Sequence, residues 1–371
     1  MRLITLLLLS LVLALSLIER AGAARGLELA VQDDAVLLHR SYGDAALGLR
    51  RAGEMGASRI RVNLSWAGSM PAAQAAAATR PGIVAWDFSR LERLYEDAKA
   101  RGLALQVTLD GPAPAWATGD GAVSNDRPSA ARFAEFASAA ARSFAGRVDR
   151  WSIWNEPNWH RRLSPAASAP GLYRALFRSG AAAVRAADPA AEVLIGELMP
   201  GANTKKSTRA LHFLRAMTCS RSDWRAARRC AGLRADGFAL HPYNFSARPS
   251  KAVHSDPDVV QIGSLGRLTR ALDRLRARGA LVTFDGSRMP VFITEFGYFT
   301  SGPVARSAST HAAWMREAWR LAERNPRVRQ LLQYLLIEPW PEAVTWRTAV
   351  LERDGAPRPV FEALRKLASA G

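Results

Sequence analysis

Two glutamates stand at the ends of apolar runs, in surroundings unlike those of surface carboxylates. Glu156 lies in WSIWNEPNWH (residues 151–160), between an asparagine and a proline and among three tryptophans, and Glu295 ends VFITE (residues 291–295). Cleavage of a glycosidic bond needs two carboxyl groups beside one cavity, a protonated one for the leaving oxygen and an ionised one for the sugar cation. Since a lone glutamate at such a position is commonly a salt-bridge partner, this hypothesis depends on the neighbouring residues.

Polar residues that suit the same chemistry end other apolar runs. Asn155 precedes Glu156 and could hold a sugar hydroxyl. Tyr243 in HPYN (residues 241–244) could donate a hydrogen bond to an ionised carboxylate, and Arg61 in RIRVNLSW (residues 59–66) could lower the pKa of that carboxylate. Several such residues at run ends favour a functional site over packing.

The elements that would position these residues repeat along the chain. Apolar runs of β-type composition alternate with stretches of helical period. Strands are predicted at residues 27–31, 59–64, 104–109, 150–154, 192–196, 237–241, 291–295 and 328–337. Helices are predicted at residues 90–102, 130–145, 170–188, 265–279, 307–324 and from 359 to the C-terminus. Residues 71–81 and 246–263 are predicted to be long loops on a rim.

Eight apolar strands separated by crossover helices predict a fold of the α/β class with a parallel sheet covered on its outer face. The number of units predicts a single-domain (β/α)8 TIM barrel over residues 24–371. In such a barrel, catalytic residues come from the C-terminal ends of the strands. Glu156 then ends the fourth strand and Glu295 the seventh, so we expect the barrel to bring them together across its ring.

In these motifs the chain resembles the retaining glycoside hydrolases of clan A. WSIWNEPN resembles their acid/base signature, VFITEFGY their nucleophile strand, HPYN their sixth-strand His-x-Tyr element and RIRVNLSW their second-strand arginine. Residues 86–117 and 349–367 are similar to further parts of these barrels, so the resemblance spans nearly the whole chain. Within the clan, the nearest similarity is to families 39 and 5.

The resemblance implies a role for each matching residue. Glu156 would be the general acid/base, Glu295 the nucleophile and Asn155 the ligand of the sugar 2-hydroxyl. His241 and Tyr243 would line the site, with Tyr243 orienting the nucleophile, and Arg61 would support it. The reaction would be a double displacement that retains configuration, with the two carboxyl groups about 5 to 5.5 Å apart.

Aromatic residues at or past strand ends suit a carbohydrate, because sugar rings present apolar C–H faces that stack on such side chains. They are Trp66, Trp116, Trp154, Trp159 and Trp340. Trp314 and Trp319 lie within a helix and are predicted to pack in the core. Two carboxylates at strand ends, Glu197 and Glu338, are not required by the resemblance; either could bind substrate or pair with an arginine.

No cofactor or metal is predicted. The six histidines lack the HExxH or other ligand spacing, no G-x-S-x-G occurs at a strand-to-helix turn, and no glycine-rich phosphate loop is present. The two cysteines, Cys219 and Cys230, are predicted to form a local disulfide, with two free thiols as the alternative. The expected partner is a carbohydrate, with no nucleic acid or membrane partner, and the protein is expected to be a monomer.

The N-terminus and the net charge leave alternatives open. Residues 1–23 have the pattern of a secretory signal peptide and predict a secreted protein; an uncleaved N-terminal anchor is the alternative. The formal charge of +18 comes largely from arginines scattered along predicted helix faces. It is compatible with solvated helix surfaces or with an anionic-polymer-binding protein. A catalytically silent, glycan-binding barrel is the other alternative function.

Overall fold

A computed structural model describes residues 26–201, 207–340 and 346–370, and within these residues eight parallel strands close into a barrel. Each strand pairs with its neighbour in sequence, and the last strand pairs with the first. The predicted (β/α)8 fold is therefore confirmed. The strands are β1 Glu28–Gln32, β2 Arg59–Ser65, β3 Ala104–Asp110, β4 Arg150–Ile153, β5 Glu192–Leu198, β6 Gly237–Leu240, β7 Val291–Phe296 and β8 Val328–Tyr334.

A helix of eight or more residues follows each strand and packs an apolar face on the barrel. Six of the eight lie where the sequence predicts them; α1 and α5 were not predicted. Asp44 caps α1 by accepting hydrogen bonds from the backbone of Ala46 and Leu47, which is a recognisable start signal. The helices are α1 Ala45–Glu54, α2 Ser89–Lys99, α3 Ala130–Ser143, α4 Ala169–Ala187, α5 Ala210–Met217, α6 Leu265–Ala277, α7 Ala308–Glu323 and α8 Pro359–Ala368.

The strands β4 and β8 end before their apolar runs do, because the residue that follows each strand has a left-handed backbone conformation. The backbone φ angle is +62° at Trp154 and +62° at Leu335, so β4 stops at Ile153 and β8 at Tyr334. A non-glycine residue in this region costs on the order of 1–3 kcal/mol and occurs mainly at functional sites. The apolar runs continue past these points because the residues after the turns are also buried.

The lower end of the barrel interior, where the strands begin, holds a polar network. Arg150 on β4 donates at 2.7 Å to Gln330 on β8 and at 2.6 Å to Glu28 on β1. Arg59 on β2 also donates to Glu28, at 2.9 Å. Because β4 and β8 lie opposite each other in the ring, these bonds cross the interior and tie the barrel together.

The predicted rim segments contain little regular structure. Residues 71–81 hold the short helix Ala72–Ala75, and residues 246–263 hold a 3-10 turn at Pro249–Lys251. A disulfide joins Cys219 to Cys230 and closes a loop between α5 and β6. Within the described residues, the structure contains no helix with the length and apolar character needed to cross a membrane. The predicted signal peptide lies outside the described residues.

Candidate active site

The two glutamates meet at the upper end of the barrel, where the strands finish. Glu295 lies within β7, and Glu156 lies in the turn that follows β4. The φ angle of Glu156 is +46°, and its backbone N–H donates to the carbonyl oxygen of Glu197 at 3.0 Å. In the same turn, the Trp154 indole donates to the carbonyl oxygen of Arg162 at 2.7 Å. These bonds hold the turn in its left-handed conformation and aim the Glu156 side chain over the barrel.

The carboxylates of Glu156 and Glu295 are close neighbours. One carboxylate oxygen from each lies within 4.8 Å of the other. Inverting glycosidases separate their two carboxyl groups by about 6.5–9.5 Å to admit a water molecule, and retaining ones by about 5–5.5 Å. The two carboxylate groups therefore lie near enough to each other to face one sugar ring.

Arg61 organises the floor of the site from the centre of the barrel. It is fully buried, and its Nη1 donates to Glu295 Oε1 at 3.0 Å. Its Nη2 donates to Asn155 Oδ1 at 2.9 Å, and its Nε donates to Thr108 Oγ1 at 3.1 Å. Arg61 therefore fixes both the proposed nucleophile and the amide beside the proposed acid/base. A guanidinium suits this position because its donors diverge in one rigid plane.

His241, at the end of β6, joins the carboxylates. Its Nδ1 lies 3.0 Å from Glu156 Oε1, and its Nε2 lies 2.8 Å from Glu197 Oε2. Both ring nitrogens face carboxylate oxygens, an arrangement that favours the doubly protonated imidazolium. Burial alone would lower the pKa of His241, but Glu295, Glu156 and Glu197 together raise it to about 9.

Glu197 belongs to the charged floor of the site. Its side chain is fully buried and is 3.2 Å from Arg61 as well as hydrogen-bonded to His241 and Thr294. Burial alone would raise the pKa of Glu197, but Arg61 and His241 lower it to about 2. The second extra carboxylate, Glu338, is buried between Arg347 and Arg358 at 2.9 and 3.0 Å. Both glutamates therefore pair with arginines.

Burial raises the pKa of the Glu295 carboxyl group, although the charges of His241 and Arg61 oppose this effect. Arg61 acts in the direction that the sequence predicts, but desolvation and the neighbouring Glu156 and Glu197 outweigh it. Arg61 and His241 thus lie close to the carboxylates of Glu295 and Glu197, and His241 also contacts that of Glu156.

Tyr243 and Asn155 lie where the sequence predicts them. The Tyr243 hydroxyl donates to Glu295 Oε2 at 3.3 Å, so it contacts the carboxylate oxygen that Arg61 leaves free. The Asn155 backbone N–H donates to Asp110 Oδ1 at 3.2 Å, which orients its side chain beside Glu156. The predicted polar residues therefore converge on one place.

The tryptophans divide into two groups. Trp66 is fully buried and stacks on Phe136, with ring centroids 6.1 Å apart, so its prediction as a substrate-binding residue is wrong. Trp154 is also fully buried, under the turn that carries Glu156. By contrast, Trp159 is half-buried and Trp340 is 58% exposed, so both remain candidates to stack on a sugar. Trp66 is buried because the chain turns into a 3-10 segment immediately after it.

Three further tryptophans were predicted to pack in the core or to stack on a sugar. Trp116 is half-buried, packs edge-on against Trp66 and donates its indole N–H to the Gln74 carbonyl oxygen at 3.0 Å. Trp319 is 2% exposed, which agrees with a packing role, and Trp314 is half-buried against Tyr298.

The sequence prediction missed four residues of the site. Gln32 accepts a hydrogen bond from Arg61. Burial and the negative charge of Glu295 raise the pKa of the Tyr334 hydroxyl. Both are the last residues of their strands, so correct strand ends would have identified them. Arg162 lies 3.4 Å from Asp110, and its guanidinium group interacts electrostatically with Glu156 and Glu295. Trp346, beyond β8, packs against Tyr243 with ring centroids 5.4 Å apart, and no strand-end pattern marks it.

Glu156, His241 and Glu295 are also close enough together to offer three ligand atoms to a cation. Their surroundings fit a proton better than a metal. Both ring nitrogens of His241 already contact carboxylate oxygens, and Arg61 already donates a hydrogen bond to Glu295. A metal at this place would have to displace these donors.

Solved structures with the same fold include several glycoside hydrolases. A family 39 glycoside hydrolase from Bacteroides cellulosilyticus WH2 has 17% sequence identity and a TM-score of 0.65, over 93% of this chain and 64% of that one. A monomeric beta-xylosidase from Caulobacter crescentus CB15 has 17% identity and a TM-score of 0.61, over 92% and 68%. The GH39 enzyme from Xanthomonas axonopodis pv. citri has 18% identity and a TM-score of 0.61, over 93% and 66%.

At these identities the similarity establishes a barrel fold like that of the family 39 enzymes. The chain spans 64% of the length of the Bacteroides protein. No protein-family model and no curated protein sequence matches the chain.

Proposed function

We propose that this protein is a retaining glycosidase that cleaves O-glycosidic bonds of an oligo- or polysaccharide. The observation that carries the proposal is the approach of Glu156 and Glu295 to within 4.8 Å at the ends of β4 and β7. The likeness in fold to family 39 glycoside hydrolases supports it.

In the first step, a carboxylate oxygen of Glu295 attacks the anomeric carbon while Glu156 gives its proton to the leaving oxygen. The bond from the anomeric carbon to that oxygen breaks, and a glycosyl ester on Glu295 forms. In the second step, Glu156 takes a proton from water as the water oxygen attacks the same carbon and Glu295 departs. Two inversions at one carbon retain the configuration.

In the proposed mechanism, the substrate and the charged residues beside the two carboxyl groups determine which of the two carries the proton. A substrate places its leaving oxygen against Glu156, which favours the arrangement with the proton on Glu156 and the charge on Glu295. Arg61 and Tyr243 donate to the two oxygens of Glu295 and keep its carboxylate oriented for attack. In this mechanism Asn155, whose side-chain oxygen accepts a hydrogen bond from Arg61, binds the hydroxyl next to the anomeric carbon.

The test is turnover of a panel of aryl glycosides and polysaccharides by the wild-type protein and by Glu156→Ala and Glu295→Ala. The panel begins with β-xylosides, because one protein of the same fold is described as a beta-xylosidase. We expect turnover of at least one substrate and a loss of about 10³-fold or more in each variant. A wild-type protein that binds glycans without any turnover would instead be a silent barrel. Turnover that persists in both variants would refute the proposed roles.

We also propose that the protein acts outside the cytoplasm. The disulfide and the apolar N-terminal segment support this location. N-terminal sequencing of protein recovered from the medium should begin after residue 23. Recovery of the full-length chain in the membrane fraction would indicate the anchored alternative.

A further inference from the structure

A basic hollow lies on the outside of the barrel, away from the glutamates. Its volume is about 500 Å³, and Arg228, Arg229 and Arg278 line it together with Cys230. We call it the arginine hollow. Arg278 follows α6 and leads into β7, so the hollow lies towards the end of the barrel where strands begin. Glu156 and Glu295 lie at the opposite end.

The arginines of this hollow lack acidic partners among the described residues. Arg278 donates to the carbonyl oxygen of Thr218 at 3.0 Å and to the hydroxyl of Ser220, and its Nε is buried without a partner. Arg174, nearby on α4, donates only to carbonyl oxygens, those of Met217 and Ala231. None of the residues that line the hollow is a carboxylate.

Arginines on neighbouring surfaces form ion pairs with carboxylates. Arg215 pairs with Asp258, and Arg327 pairs with Asp273 at 2.7 Å. In the hollow, by contrast, positive groups crowd one another. Burial, with the charges of Arg178 and Arg228, lowers the pKa of Arg174. A bound anion would relieve this repulsion, so the charge arrangement favours an acidic ligand.

The disulfide constrains the loop that lines the hollow. Cys230 directly follows Arg229, and its bond to Cys219 closes the loop that carries Arg228 and Arg229. The loop is further held by the Ala227 N–H, which donates to the Cys219 carbonyl oxygen at 2.8 Å. Binding to a constrained loop costs less conformational entropy than ordering a free one.

We propose that the arginine hollow is a second carbohydrate-binding site, one that takes an acidic polysaccharide. Guanidinium groups bind carboxylates and sulfates in bidentate pairs, and Arg228 and Arg229 are exposed at the hollow. The choice of a polysaccharide over other polyanions rests on the proposed function. Such a site would hold the polymer while the distant glutamates act on it.

The test measures binding of an oligogalacturonate by calorimetry at about 0.15 M salt, which screens weak long-range attraction. The double variant Arg228→Ala/Arg229→Ala removes two exposed side chains of the hollow. The matched control, Arg93→Ala/Arg101→Ala, removes two exposed arginines at α2 and changes the net charge equally. A neutral xylo-oligosaccharide and duplex DNA serve as comparison ligands, and Glu295→Gln removes the proposed nucleophile.

We expect oligogalacturonate to bind the wild-type protein, the control and Glu295→Gln alike, and to bind the hollow variant at least about tenfold more weakly. Equal binding by the hollow variant would overturn the proposal, and so would an equal loss in the control. Tighter binding of DNA than of oligogalacturonate at the hollow would overturn the choice of ligand. If the wild-type protein lacks glycosidase activity but the hollow variant alone loses binding, the proposed function fails and the second site stands.

Discussion

The carboxylate of Glu295 is held by donors from separate strands. Arg61 comes from β2, and Tyr243 comes from the turn after β6. Each contacts a different oxygen of the carboxylate, so the group cannot rotate without breaking a bond. The orientation of the Glu295 carboxylate therefore depends on Arg61 and Tyr243.

The hydroxyl of Tyr243 should matter for the reaction more than for stability. Tyr243→Phe removes the 3.3 Å hydrogen bond to Glu295, and we expect kcat to fall about tenfold or more with little change in KM. Tyr298→Phe is the matched control, because the buried Tyr298 hydroxyl has no partner within the described residues. Steady-state kinetics of both variants check this; an equal effect in the two would contradict the role given to Tyr243.

His241 should make stability depend on pH. Its pKa is about 9 in the folded protein and 6.5 for an ordinary histidine. Because the folded state holds the proton more tightly, its contribution to stability is fully present below about pH 6.5 and is lost as the pH rises through about 9. Urea unfolding of the wild type and His241→Gln across this range should show a difference that shrinks as pH rises. A difference independent of pH would contradict the imidazolium assignment.

The ends of the strands, rather than their middles, shape the site. In β5, Gly196 has a φ angle of +121° and Glu197 one of +49°, and the pairing of β5 with β6 is irregular there. This irregularity turns the Glu197 side chain into the barrel beneath His241. Only glycine fits at position 196, because an added Cβ would lie 2.4 Å from the carbonyl oxygen of Ala239.

Gly196→Ala should therefore destabilise the protein by about 2 kcal/mol or more. The matched control is Gly171→Ala in α4, where an added Cβ meets no atom within 4 Å and helix propensity favours alanine. We expect the control to be stabilised by about 0.4–1 kcal/mol. Thermal unfolding measures both, and similar melting temperatures for the two variants would contradict the strand-end account.

Sequence reasoning predicted the eight strands and placed the two glutamates, because apolar runs and strand-end residues follow regular patterns. It missed Gln32 and Tyr334 because periodicity does not set the last residue of a strand. It also counted Trp66 as exposed, since nothing in the sequence shows which way the chain turns after β2. The pairing of Glu197 with Arg61 depends on contacts between distant strands, which one sequence does not reveal.

Closure of the barrel brings together groups that are far apart in the chain. Glu28 on the first strand binds Arg59 and Arg150, and the latter also reaches Gln330 on the last strand. Burial alone would raise the pKa of Glu28, but Arg150 and Arg59 lower it. The lower network and the cluster around Glu156 and Glu295 thus lie at opposite ends of the barrel interior.

Glu28→Ala should leave two buried guanidinium groups with fewer partners and cost about 3 kcal/mol of stability. Glu362→Ala removes an exposed partner of Arg365 on α8 and should cost less than about 1 kcal/mol. Denaturant unfolding compares the two variants. Equal stabilities would mean that the lower network does not help to close the barrel.

In the proposed mechanism, Glu295 forms a covalent bond to the sugar. The most direct measurement is mass spectrometry of protein treated with the 2-deoxy-2-fluoro analogue of whichever glycoside the panel identifies. We predict one added glycosyl group, mapped to Glu295, in the wild type and none in Glu295→Gln. A product of inverted configuration without any adduct, or an adduct on another residue, would contradict the account.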